Sequence, residues 1–241
     1  MGELTHEQAH RIAREKGVNI VLYRIMQLIL TPLLRLVFAL RTSGVANVPK
    51  TGAALLAPNH KSFFDSFFIA AVLRRPIRNM GKSELFRGRR GRLLLALGGF
   101  PVRRGESDAE ALETAAELLR RGNLVTIYPE GTRVSDPDAL GKPKRGAARL
   151  AIETGSPIIP IAITGTEKRR FPTPRKVQIA FGEPVSVEDL TATPETAGVL
   201  TDKVVWPQIQ DEYQRLRARP GLIAAGAAAV GLAVLVQRRR R

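Results

Sequence analysis

The chain contains no cysteine, which excludes disulfides, thiolate metal sites and a cysteine nucleophile. Aromatic residues make up only 5% of it, and no patch interleaves them with basic residues as single-strand nucleic-acid binders do. No Gly-x-Ser-x-Gly elbow occurs, so nothing signals a serine nucleophile. Acidic residues are the remaining shortage. Asp and Glu number 22 against 38 Lys and Arg, a net charge of +16. That imbalance implies an anionic partner, and without a nucleic-acid signature the remaining classes are anionic lipid and phosphorylated molecules.

The positive charge is uneven. Residues 74–104 carry ten Lys or Arg, Arg75, Arg78, Lys82, Arg103 and Arg104 among them, against the single acid Glu84. This run is expected to form a basic rim toward headgroups and a phosphate-bearing substrate or carrier, with Arg104 an ordinary surface cation.

The chemistry-bearing residues begin after an apolar stretch at 53–57, which reads as a buried strand. Asn59, His60 and Asp65 follow it, with Ser62 as expected N-cap of a helix over 63–73. A reversal of that length can bring the carboxylate to one imidazole nitrogen and leave the other facing a cleft. An oriented His–Asp pair is what general-base catalysis on a hydroxyl requires. Three further blocks follow in order: Gly99, Phe100 and Arg103; Pro129, Glu130, Gly131, Thr132 and Arg133; and Pro160 in the apolar run 158–163.

Together the four blocks resemble the glycerolipid acyltransferase family, which includes the lysophosphatidic acid acyltransferases. The resemblance spans roughly residues 48–187. It implies transfer of an acyl group from an acyl thioester, on coenzyme A or acyl carrier protein, to the hydroxyl of 1-acylglycerol 3-phosphate, giving phosphatidic acid. His60 would be the base and Asp65 its orienting partner. Arg103 and Arg133, with Lys82, would clamp the acceptor phosphate, because guanidinium forks match phosphate oxygens. Glu130, Gly131 and Thr132 would complete the acceptor site, Glu130 by organising it or by contacting the glycerol hydroxyl. Amides at 129–131 or 59–62 would meet the oxyanion, and Phe63, Phe64, Phe67 and Phe68 would border the acyl chain. No metal or cofactor is implied. With no cysteine and no serine elbow, the acceptor's own hydroxyl is the expected nucleophile. Glycerol 3-phosphate or another lysophospholipid is the alternative acceptor, and a non-catalytic membrane lipid-binding protein the alternative class. Tyr128, Val134 and Val102 depart from the family pattern, and none is expected to touch the base or the clamps.

Strands expected at 53–57, 77–81, 124–127, 158–163 and 177–181 alternate with helices at 63–73, 108–121 and 146–154. This order predicts an α/β domain over 46–190 with a mixed, largely parallel sheet, its binding edge at the strands' carboxyl ends. The polar loop 136–144 is expected to be mobile.

Residues 1–45 are expected to form membrane-associated helices. In 18–40 the polar residues Arg24, Gln27, Thr31 and Arg35 fall on one stripe, suiting a helix that lies in the membrane interface with that stripe toward water. Before it, His6-Glu7-Gln8-Ala9-His10 has the zinc-protease spacing. No acid occurs between Glu15 and Asp65, and the only other histidine is His60, so a solvated helix over 5–16 is expected instead. A helical extension is expected at 191–219. In 220–241, sixteen small or apolar residues precede four terminal arginines. As a helix those sixteen reach about 24 Å, short of a roughly 30 Å hydrocarbon core, so a shallow or tilted insertion with the arginines at anionic headgroups is expected, a span being the alternative. The polar first seventeen residues do not resemble a cleavable signal. The expected location is the cytoplasmic face of an anionic cell membrane.

Overall fold

The computed structural model describes residues 4–103, 108–134, 136–167 and 176–218. In chain order the elements are α1 (His6–Glu15), α2 (Ile20–Phe38), β1 (Arg41–Ser43), β2 (Ala54–Pro58), α3 (Asp65–Val72), β3 (Ile77–Lys82), α4 (Gly88–Ala96) and β4 (Gly99–Val102). They continue with α5 (Ala109–Arg120), β5 (Leu124–Thr126), α6 (Gly146–Thr154), β6 (Ile158–Thr164), β7 (Gln178–Phe181), α7 (Pro194–Val199) and α8 (Trp206–Arg217). Arg104 and the apolar run of 220–241 lie outside the described residues.

The seven strands form one sheet in the order β1-β7-β6-β2-β5-β3-β4, parallel except where β7 runs against β6. This is the mixed, largely parallel α/β sheet expected from the sequence. Its central strand shows why both faces are covered. Side chains alternate along a strand, so Leu55 and Ala57 join the core beneath α1, α5, α6 and α8, while Ala54 and Leu56 join the core beneath α2 and α3. All five residues of β2 are buried. Residues 194–217 are part of this arrangement, because α8 packs on β6 and β7.

Three expectations are corrected. First, α1 has the Thr5–Gln8 capping box, but it is not solvated. Ala9, His10 and Ala13 are buried where it packs on α5 and β4. The polar composition hid a narrow stripe of two alanines and one histidine whose ring nitrogens find partners, Nδ1 lying 2.9 Å from Thr114 Oγ1. Burial and the neighbouring His6 push the His10 pKa down to about 4.

Second, the polar stripe of α2 does not all face water. Gln27 Nε2 donates to Ala70 O at 2.8 Å and Leu73 O at 2.7 Å, and Thr31 Oγ1 donates to Ala71 O at 2.7 Å. These are carbonyls at the C-terminal end of α3, which have no intrahelical donor. Arg24 and Arg35 remain exposed. The outward side is the apolar one, with Leu28 77% and Leu36 85% exposed. At 19 residues and a mean hydropathy of 1.7, α2 is long and apolar enough to cross a membrane.

Third, the basic run is not a uniform rim. Arg78 is fully buried with its guanidinium donating to Ala13 O, and burial pulls its pKa down to about 10. Arg75 is held by Pro49 O and Gly122 O. Only the sequence's charge was visible beforehand, not which arginines stitch α1 and the loops to the sheet.

Candidate active site

Strands β5 and β6 flank β2 in parallel, with Leu56 opposite both Thr126 and Ile159. The loops leaving their carboxyl ends therefore meet, bringing His60, Glu130 and Thr166 to one edge of the sheet. Asn59 continues the β2 pairing with its side chain, as Nδ2 donates to Ile163 O and Oδ1 accepts from Ile163 N. That fixes the chain one residue before His60.

His60 Nδ1 lies 2.9 Å from Asp65 Oδ2. The same oxygen accepts from the backbone N–H of Lys61 at 2.7 Å and of Ser62 at 2.8 Å, while Oδ1 accepts from Thr166 Oγ1 at 2.6 Å. A fully buried carboxyl surrounded by donors is an acceptor, so Nδ1 of His60 carries the proton and Nε2 keeps its lone pair. Thr166 reaches this position because Gly165 turns the chain at φ +84°, where a Cβ would lie 2.0 Å from Lys176 O. Ser62 is not the helix cap: α3 begins at Asp65, whose side chain holds the preceding loop instead.

Two clefts open at His60. One, a cavity of about 200 Å³, is lined mainly by apolar groups, including Tyr23, Met26, Phe63, Phe67, Leu94 and Leu97. Lys82 and Arg133 also line it, Lys82 being paired with Glu84 at 3.0 Å. The other contains Arg103, Gly131 and Lys144. Both clefts share His60, Met80 and Tyr128. Of the four phenylalanines, Phe63 and Phe67 line the apolar cleft, Phe68 is core and Phe64 is exposed.

Glu130 is 3% exposed and lines neither cleft. Burial pushes its pKa up to about 7, opposed by the Lys61 charge; the N–H groups of His60 and Gly141 face it short of full hydrogen-bond geometry. It underlies the His60 loop. Thr132 is exposed and also lines neither cleft. Gly131 has φ +68°, with space above it occupied by the Lys144 side chain.

Four of the expected oxyanion amides hydrogen-bond within the protein. Those of Lys61 and Ser62 go to Asp65, that of Asn59 to Ile161 O and that of Gly131 to Tyr128 O. Two of the three departures from the family pattern do touch the base. Tyr128 stacks on the His60 ring, and Val134 N–H donates to His60 O at 2.9 Å. Tyr128, Lys144 and Thr166 escaped the sequence reading because each reaches the site through strand order or ring stacking, which motif spacing does not encode.

The loop expected to be mobile is tied down where it is described. Lys61 Nζ donates to Asp136 O at 2.7 Å and to Ala139 O, and Tyr213 Oη donates to Pro137 O at 2.6 Å. Burial lowers the Lys61 pKa, and its ammonium lies 5.0 Å from the centre of the Tyr213 ring.

A family model described as Acyltransferase matches residues 39–164. The chain is 30% identical over 151 residues to a 1-acyl-sn-glycerol-3-phosphate acyltransferase of Bacillus subtilis, covering 61% of this chain and 74% of that one. It is 31% identical over 201 residues to 1-acyl-sn-glycerol-3-phosphate acyltransferase alpha of Mus musculus, covering 78% and 69%. The crystal structure of the 1-acyl-sn-glycerophosphate (LPA) acyltransferase PlsC from Thermotoga maritima superposes with a TM-score of 0.67 at 22% identity, over 82% of this chain and 80% of that one. This last likeness is one of fold.

Proposed function

Because the chain belongs to the acyltransferase family that includes 1-acyl-sn-glycerol-3-phosphate acyltransferases, we propose that it acylates the free hydroxyl of 1-acylglycerol 3-phosphate from an acyl thioester, giving phosphatidic acid. The observation that carries this reading is the place of the His60–Asp65 pair, where an apolar cleft meets a second one that holds Arg103 and Lys144 as well as Asp108. The acyl chain lies in the apolar cleft. The acceptor's phosphate lies near the junction, with Arg103 and Lys144 on one side and Arg133 on the other.

His60 Nε2 takes the hydroxyl proton as the oxygen attacks the thioester carbonyl. Asp65 holds the ring and stabilises the imidazolium. Collapse of the tetrahedral intermediate breaks the carbon–sulfur bond, and the imidazolium returns the proton to the departing thiolate. Arg133, which lines the apolar cleft together with His60, is the side-chain donor offered to the charge on the carbonyl oxygen. No metal or cofactor takes part, and coenzyme A or acyl carrier protein delivers the acyl group. The apolar side of α2 and exposed Phe64 suit attachment to an anionic membrane at its cytoplasmic face, where acceptor and product reside.

The test is thiol release from palmitoyl-coenzyme A with 1-acylglycerol 3-phosphate in detergent micelles. Release should require the acceptor and fall by about 10²–10⁴-fold in His60→Ala. Silence with this donor and with acyl carrier protein, across glycerol 3-phosphate and other lysophospholipids, would leave a lipid-binding protein on the same fold.

A further inference from the structure

The two histidines of α1 are one helical turn apart and point the same way, toward the N-terminal end of α5. His6 Nε2 and His10 Nε2 are 3.1 Å apart. Asp108 Oδ2 is 3.6 Å from His6 Nε2, and Glu110 Oε2 is 3.7 Å from it. One ligand atom each from His6, His10 and Asp108 lies within 4.8 Å of the others. A tetrahedral zinc ion with bonds of about 2.0–2.2 Å holds its ligand atoms roughly 3.3–3.6 Å apart, so the spacing is close to that of an occupied site.

We propose that His6, His10 and Asp108, with Glu110 beside His6, bind one zinc-class divalent cation that staples α1 to α5.

The outer contacts have the form such a site needs. Metal-bound imidazoles donate their second ring nitrogen to a fixed acceptor. With Nδ1–H of His10 donating to Thr114 Oγ1, itself held by Arg14 Nη1 at 2.9 Å, Nε2 is left to ligate. The Asp108 carboxylate is oriented by two amides, Ala111 N–H to Oδ1 at 3.1 Å and Arg103 N–H to Oδ2 at 2.7 Å. Two carboxylates and two neutral imidazoles balance a doubly charged ion. Access is from one side: His10 is fully buried, whereas the His6 side chain is 14% exposed beside an open cleft that includes Leu4, Ser83 and Arg87.

The site is structural rather than hydrolytic. Glu7, which would serve as base in a zinc protease, is exposed on α1. The third ligand is 98 positions from His10, which is why the sequence alone offered none. Because Asp108 also accepts from the Arg103 backbone N–H, occupancy would fix the backbone at Arg103, which lines the second cleft at His60.

The experiment uses the full chain stripped by a chelator and titrated with zinc chloride, followed by calorimetry and melting temperature, and in parallel with cobalt(II), followed by visible absorption. One equivalent should bind, the melting temperature should rise with free zinc, and cobalt should give the intense d–d bands of a four-coordinate nitrogen–oxygen site. His6→Gln should weaken binding by more than about 100-fold, beyond the roughly 10–100-fold typical of losing an outer contact. Absence of one-equivalent binding, an octahedral cobalt spectrum in the unaltered chain, or equal affinity in His6→Gln would overturn the proposal and leave a hydrogen-bonded histidine pair. The wild-type spectrum decides even if the variant fails to fold.

Discussion

Tyr128 lies nearly flat on His60, their ring centroids 3.8 Å apart and their planes 25° from parallel. Its hydroxyl is 2.7 Å from Ser66 Oγ, so the ring is anchored to α3, the helix that also carries Asp65. Stacking of this kind contributes about 0.5–1.5 kcal/mol. Tyr128→Phe should keep turnover within about threefold, whereas Tyr128→Ala should lower kcat by about 3–10-fold. Steady-state kinetics of the two variants separate the ring from the hydroxyl, and equal losses would assign the effect to the hydroxyl.

Asp65→Asn removes the acceptor that holds the His60 tautomer while leaving the side-chain volume unchanged. A drop in kcat of about 10³–10⁴ is expected, with KM for the acceptor little altered. Single-turnover measurements with the folded variant check it. A loss confined to KM would place Asp65 in binding instead.

Glu130 gives a signed pH dependence. Its folded pKa of about 7 lies above the ordinary carboxyl value of 4.5. Between those values the folded chain keeps a proton that the unfolded chain has released, so this group makes stability fall as pH rises. At about 1.4 kcal/mol per unit the total is of order 3 kcal/mol. Urea denaturation at pH 5 and pH 8 should show Glu130→Gln less pH-dependent than wild type by roughly that amount. Parallel profiles would contradict it.

Gln27→Leu would leave the carbonyls of Ala70 and Leu73 without the amide they now share. Loss of buried partners of this kind costs about 1–3 kcal/mol. Denaturant midpoints should shift downward accordingly. An unchanged midpoint would mean that other groups satisfy these carbonyls.

The sequence revealed most where local pattern and chemistry coincide. Strands β2, β5, β6 and β7 announced themselves as apolar runs, and the His60–Asp65 pair came from a five-residue interval that one loop can close. Three-residue β1 has no buried side chain and so no hydrophobic pattern to detect. The stripe on α2 showed that the helix has two sides but not which one the protein would claim, because Gln27 and Thr31 can bond carbonyls as well as water. Thr166 and Asp108 are distant in sequence from the histidines they meet, and only strand order and helix packing bring them there.

The tether between Lys61 and the region of Tyr213 has a consequence for synthesis. Residue 61 leaves the ribosome long before residue 213, yet the lysine beside His60 rests on that tyrosine's ring and on the loop its hydroxyl holds. Thr166, which grips Asp65, is also made late. A nascent chain can form α3 early, but the His60 loop gains its final partners only when α8 has emerged and docked.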